Sequence, residues 1–124
     1  IADDEPLLRK MFVAVLGSAL PDLAIETAEN GQEAVDLFAT GHHGLIIMDI
    51  AMPVMNGEEA FAAIRQLCAD KTWQMPAILF CTGFLVNDSL DAILKSGPSL
   101  ACLRKPLSID ELTQTVRQFL QPKP

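Results

Sequence analysis

The stretch that decides the fold runs Gly44-Leu45-Ile46-Ile47-Met48-Asp49-Ile50-Ala51-Met52-Pro53-Val54-Met55-Asn56-Gly57. From Gly44 to Met48 the run is nearly all apolar, the pattern of a strand buried on both faces, as strands of parallel sheets are. Pro53 and Gly57 then force a loop. Asp49 stands between the two, at the end of a buried strand. A carboxylate so placed loses hydration and is tolerated only beside cationic or metal partners. The placement therefore predicts a site as well as a strand.

Partners are found at three other strand ends. Asp3-Asp4 follow Ile1-Ala2, Thr82 follows Ala77-Ile78-Leu79-Phe80-Cys81, and Lys105-Pro106 follow Leu100-Ala101-Cys102-Leu103. Between these runs the spacing is helical. Pro6 suits a first helical turn, and Leu8, Met11, Phe12, Val15 and Leu16 recur at helical spacing to about Ala19. Pro21-Asp22 turns into a short strand, Leu23 to Ala28, and Asn30 is placed to cap a helix carrying Ala34, Val35 and Phe38 that ends near Gly41. Glu58 to about Cys68 reads as a helix with Phe61, Ile64, Leu67 and Cys68 on one stripe. Asp88 to Lys95 makes a short helix stopped by Gly97-Pro98. Ser108-Ile109-Asp110-Glu111 reads as a capping box, opening a last helix with Leu112, Val116, Phe119 and Leu120 inward.

Five strands alternating with five helices predict an α/β fold, a doubly wound five-stranded parallel sheet. Ligands of such sheets bind outside the carboxyl ends of the strands, near a topological switch point. Asp3, Asp4, Asp49, Thr82 and Lys105 all fall at such ends. The chain is expected to be a single domain over 1–124, its first strand cut short at Ile1 by missing upstream residues, with Gln121-Pro122-Lys123-Pro124 as a linker or tail.

Composition narrows the function. Of 124 residues, half are apolar and a fifth charged, as in a compact globular protein. The net charge of −7 argues against non-specific binding to nucleic acid or anionic membrane. No apolar stretch approaches the roughly 20 residues of a membrane span, and no signal-peptide pattern opens the chain. Cys68, Cys81 and Cys102 read as reduced core residues, which places the protein in the cytoplasm. No Cys-x-x-Cys occurs and the two histidines are adjacent, so zinc is disfavoured. His42-His43 read as a solvated loop, and Trp73 as packing over the loop from helix to strand. A Cys81–Cys102 disulfide would be hard to form in a cytosolic parallel sheet.

Three converging carboxylates repel and raise one another's pKa. A hard divalent cation removes the conflict, and few carboxylates with several waters suit Mg²⁺. Lys105 adds a positive charge and Thr82 a hydroxyl. Together these groups describe a phosphoryl site with Asp49 as the nucleophile forming an acyl phosphate.

Four motifs in order carry a family resemblance: Ile-Ala-Asp3-Asp4-Glu5-Pro6, Met48-Asp49-Ile50-Ala51-Met52-Pro53 with Asn56-Gly57, Cys81-Thr82-Gly83, and Arg104-Lys105-Pro106. Over essentially its full length the chain resembles a receiver domain of the two-component response regulators. The resemblance implies a flavodoxin-like strand order of 2-1-3-4-5. It implies that Asp49 accepts a phosphoryl group from a histidine kinase or histidine phosphotransfer protein. Mg²⁺ would be held by Asp4, Asp49 and the main-chain carbonyl of Ala51, with Asp3 acting through water. Lys105 would pair with the phosphoryl group, and Lys105-Pro106 would be a cis peptide. The chain would catalyse its own phosphorylation and dephosphorylation without being a turnover enzyme. Self-association or output docking would use the fourth helix, fifth strand and fifth helix. The Cys81-Thr82-Gly83-Phe84 motif resembles receivers attached to hybrid histidine kinases.

Two departures bear on mechanism. In the family a switching aromatic lies three residues before the lysine, here Cys102, and no aromatic occurs from Gly97 to Lys105. Ala51 and Phe84, flanking the phosphoryl site, cannot orient an attacking water by hydrogen bonding, which predicts slow self-dephosphorylation. The competing readings are a pseudo-receiver that binds partners without phosphorylation and a phosphatase of the haloacid dehalogenase type. The latter needs a second acid two residues past the nucleophile, where this chain has Ala51.

Overall fold

The computed structural model describes residues 1–83 and 86–120. Its elements alternate: α1 (Pro6–Ala19), α2 (Gly31–Gly41), β1 (Leu45–Asp49), α3 (Gly57–Lys71), β2 (Ala77–Thr82), α4 (Asp88–Lys95), β3 (Leu100–Arg104) and α5 (Ile109–Leu120). The three strands form a parallel sheet in the order β1-β2-β3, with Asp49 opposite Cys81 and Thr82 opposite Arg104. The five helices and the parallel sheet are those the periodicity predicts.

The strand count differs. The two expected strands at Ile1–Ala2 and Leu23–Ala28 appear only as isolated parallel bridges, Ala2 with Ala28 and Ala2 with Met48. Each segment is nevertheless joined to its expected neighbour, 23–28 through Ala28 to Ala2 and the first segment through Ala2 to Met48. The bonds that remain have the right pattern. Ala2 donates to the Ile47 carbonyl at 2.8 Å, Asp49 donates to the Ala2 carbonyl at 2.9 Å, and Ala28 donates to the Ile1 carbonyl at 2.8 Å. Counting these segments, the order across the sheet is the expected 2-1-3-4-5.

Alternation along the strands feeds two cores. Ile47, Leu79 and Cys81 meet Phe12 and Leu16 of α1 and Leu112 and Val116 of α5. Ile46, Met48, Ile78 and Phe80 meet Ala34 and Phe38 of α2, Ala60, Phe61 and Ile64 of α3, and Leu90 of α4. The helices therefore cover both faces of the sheet. Cys81 and Cys102 belong to opposite faces, which keeps their sulfurs apart although their strands are neighbours. All three cysteines are free.

The histidines are more engaged than a solvated loop implies. His42 is the left-handed cap of α2, and its ring lies 4.0 Å from that of Trp73. His43 Nε2 is 2.7 Å from Glu26 Oε1. Among the described residues no helix is long and apolar enough to cross a membrane.

Val54, 80 % exposed, sits at φ 68° in the loop after β1. A β-branched residue there is strained by about 1–2 kcal/mol, which glycine relieves at a smaller entropic cost. Val54→Gly is predicted to raise stability by roughly 1 kcal/mol in urea unfolding; an unchanged or lower midpoint contradicts this.

Candidate functional site

Asp3, Asp49, Thr82 and Lys105 are fixed by backbone. Asp49 ends β1, its amide bonded to Ala2, while the amide of Asp3 donates to the Ala28 carbonyl at 3.1 Å. These bonds hold Asp3 and Asp49 on adjacent backbones. The Lys105 amide donates to the Thr82 carbonyl at 2.8 Å, and the following Lys105-Pro106 peptide is cis. Past Asp49, the Gly57 amide returns to the Ile50 carbonyl at 2.8 Å. A Cβ on Gly57 would run into the Asp49 carbonyl oxygen, so only glycine lets α3 begin this close to the end of β1. Asn56 caps that helix in a capping box with Glu59, whose side chain takes the Asn56 amide.

The side chains converge. Lys105 Nζ lies 3.2 Å from Asp3 Oδ2 and 3.3 Å from Asp49 Oδ2. Asp3 Oδ1 accepts the Glu5 amide at 2.9 Å. Asp3, Asp4 and Asp49 each bring a carboxylate oxygen to within 4.8 Å of the others; Asp3 and Asp49 are buried, and Asp4 is exposed. With all three acids ionised, one ammonium leaves two negative charges in excess.

The electrostatics follow. Burial pushes the Asp49 carboxyl above its ordinary range; Lys105 pulls it back, and Asp3 and Asp4 push it up again, leaving it raised. For Lys105, burial alone would lower the pKa, but Asp49 and Asp3 outweigh it and the group is raised, so it is firmly an ammonium at neutral pH. Cys81 is pushed up to about 12, chiefly by burial. It is a neutral thiol and no competing nucleophile.

The structure thus brings Asp3, Asp4, Asp49 and Lys105 together. Thr82 is buried at the same sheet edge, one residue beyond the register partner of Asp49. Ala51 stands in the exposed turn two residues past Asp49. Phe84 lies outside the described residues. Cys102, opposite Phe80 and half-buried, shares the face of Thr82 and packs in the core that includes Leu90, Ile93 and Leu94 of α4.

Sequence reasoning missed Arg9, whose Nη1 donates to the Asp3 carbonyl at 2.6 Å. A signal was present: Arg9 shares the inward spacing of Phe12 and Leu16, where a cation is out of place unless it is used.

The donor set fits a hard divalent cation. It consists of carboxylate oxygens carrying more negative charge than Lys105 offsets, and one acid is open to water, the arrangement that suits Mg²⁺.

Comparison with known proteins places these features in a family. The model of the response regulator receiver domain matches residues 1–117. The regulatory protein AtoC of Escherichia coli (strain K12) is 33% identical over 121 residues, covering 98% of this chain and 24% of AtoC. The sensor histidine kinase RcsC of the same strain is 28% identical over 121 residues, covering 98% of this chain and 12% of RcsC. The chain thus spans a quarter or less of the length of these two relatives. Among solved structures, the chemotaxis protein CheY4 of Vibrio cholerae superposes with a TM-score of 0.76 at 25% identity, covering 96% of this chain and 94% of that one. The receiver domain of the LuxO repressor protein of Vibrio parahaemolyticus gives 0.80 at 22% identity, covering 96% and 85%.

A carboxyl whose pKa is higher folded than unfolded binds protons more tightly when folded. Stability then falls as pH rises through the window above its ordinary value of 3.8. Asp49→Asn removes that loss. In metal-free buffer the variant is predicted to melt a few degrees above wild type at pH 7, the gap closing below about pH 4. Wild type melting higher at pH 7 contradicts this.

Proposed function

We propose, because this chain belongs to the response regulator receiver family of two-component systems, that Asp49 is its phosphoacceptor and that phosphorylation at Asp49 alters partner binding. The observation that carries the reading is the lysine bridge: one half-buried ammonium within 3.3 Å of both Asp3 and Asp49.

In this reading the donor is a phosphohistidine of a histidine kinase or phosphotransfer protein. An Asp49 carboxylate oxygen attacks phosphorus, the O–P bond forms as the N–P bond breaks, and the imidazole leaves with the bonding pair and takes a proton. Lys105 keeps its proton throughout and turns its charge from the carboxylates to the phosphoryl oxygens. Thr82 donates its hydroxyl to the same group, and burial of Asp49 and Thr82 limits the water that competes with these contacts. Asp3, Asp4, Asp49 and the Ala51 carbonyl would hold Mg²⁺, which when bound supplies the charge that one lysine lacks. Asp3 also orients Lys105 through the 3.2 Å contact.

A phosphorylation-independent module would have no use for two buried carboxylates around one lysine, and the reading here is favoured over it for that reason. Incubation with Mg²⁺ and acetyl phosphate is predicted to add a single acid-stable, base-labile phosphoryl mass to wild type and none to Asp49→Asn. No adduct, with a phosphohistidine donor also failing, rejects the proposal.

Ala51, small, apolar and exposed beside the site, cannot align a water by hydrogen bonding. The adduct is therefore predicted to decay more slowly than a free acyl phosphate, followed by intact mass over time. Decay at the free rate or faster contradicts this.

A further inference from the structure

Arg9 occupies a core-facing position of α1 with its side chain only 14 % exposed. A long cation there is tolerated when its donors are used, and two uses are visible. Nη1 donates to the main-chain carbonyl of Asp3 at 2.6 Å, short as charge-assisted bonds are. Nη2 lies 3.5 Å from Oε1 of Glu29, one residue before the α2 cap. The guanidinium thus ties together α1, the backbone of Asp3 and the approach to α2.

Asp3 is a point where such a tie matters. After its amide bond to Ala28, the chain leaves the sheet at Asp3 and turns into α1 at Pro6. Asp3 must nevertheless present Oδ2 to Lys105 and Oδ1 to the Glu5 amide. A turn that has left the ladder opens easily unless something else restrains it.

We infer that Arg9 is a positioning residue: through the Asp3 carbonyl it fixes the turn that carries Asp3 and Asp4 against Asp49, and thereby sets the affinity of the acid cluster for a divalent cation. The cation part rests on the function proposed above; the restraint on the turn does not. Charge alone predicts the opposite sign, since removing a cation near three carboxylates would tighten cation binding. The two effects are therefore separable by direction.

The test uses the full chain with Arg9→Met, which keeps most of the apolar stem, and Arg9→Lys, which keeps the charge without the fork. Two quantities are read by NMR: amide exchange at Asp3 and Glu5 without metal, and the Mg²⁺ dissociation constant by titration. In Arg9→Met, exchange at these amides is expected to quicken about tenfold, the loss of one charge-assisted bond, with β2 amides unchanged. Mg²⁺ is expected to bind several-fold more weakly, and Arg9→Lys to fall between wild type and Arg9→Met. Unchanged exchange at Asp3 and Glu5, or Mg²⁺ binding that is unchanged or tighter, overturns the inference. If Arg9→Met does not fold, Arg9→Lys carries the same comparison, judged against wild type by the same criteria. A wild-type chain that ignores Mg²⁺ overturns the metal reading, and with it the effect on affinity; the exchange rates then decide the restraint alone.

Discussion

Three carboxylates and one ammonium share the carboxyl edge of this sheet, and the structure depends on how that imbalance is held. Asp3 and Asp49 are buried, each within 3.3 Å of Lys105 Nζ. Removing a carboxylate from water is costly, and repulsion between neighbours adds to the cost. The fold tolerates this because the backbone fixes the participants independently of their charges. Asp49 is tied to Ala2, Asp3 to Ala28, and Lys105 to Thr82, all by main-chain bonds. Gly57 closes the loop under Asp49, where any side chain would collide with its carbonyl. The negative excess that remains is what a divalent cation can use.

That division of labour explains what was legible in the sequence. The apolar run Leu45–Met48 and the acid after it located β1 and the edge of the site, because burial on both faces leaves a continuous hydrophobic signature. The ends of β2 and β3 followed from the same logic, which placed Thr82 and Lys105. Leu23 to Ala28 reads as a short strand and Ile1-Ala2 as the end of one from local pattern, yet both appear as single bridges, because pairing is a property of two segments and not of one. Arg9 was hidden for another reason. Its partner is a main-chain carbonyl, which leaves no mark in the residue types around it. The engagement of His42 with Trp73 likewise joins the ends of two helices distant in sequence.

The family resemblance implies an aromatic switch behind the site, and the strand position it would use carries Cys102 here. The register of β3 puts Cys102 on the face of Thr82, at the strand position where the family resemblance leads one to look for an aromatic. Cys102 is half-buried among side chains of α4, so that region is packed rather than hollow. A small thiol lacks the reach of a ring swinging between two positions. Any movement that links Thr82 to α4 must then travel by other means, and the Ser89 hydroxyl bonded to Glu58 at 3.0 Å already joins the starts of α4 and α3.

The central claim is that the uncompensated negative charge at the strand ends is a divalent-cation site. The most direct measurement is the thermal unfolding of wild type and Asp4→Asn with and without Mg²⁺; Asp4 is exposed, so its replacement leaves the core intact. At a hundredfold excess over the dissociation constant, Mg²⁺ is predicted to stabilise wild type by about 2.7 kcal/mol and the variant by clearly less. A wild-type unfolding temperature that millimolar Mg²⁺ leaves unmoved would contradict the account.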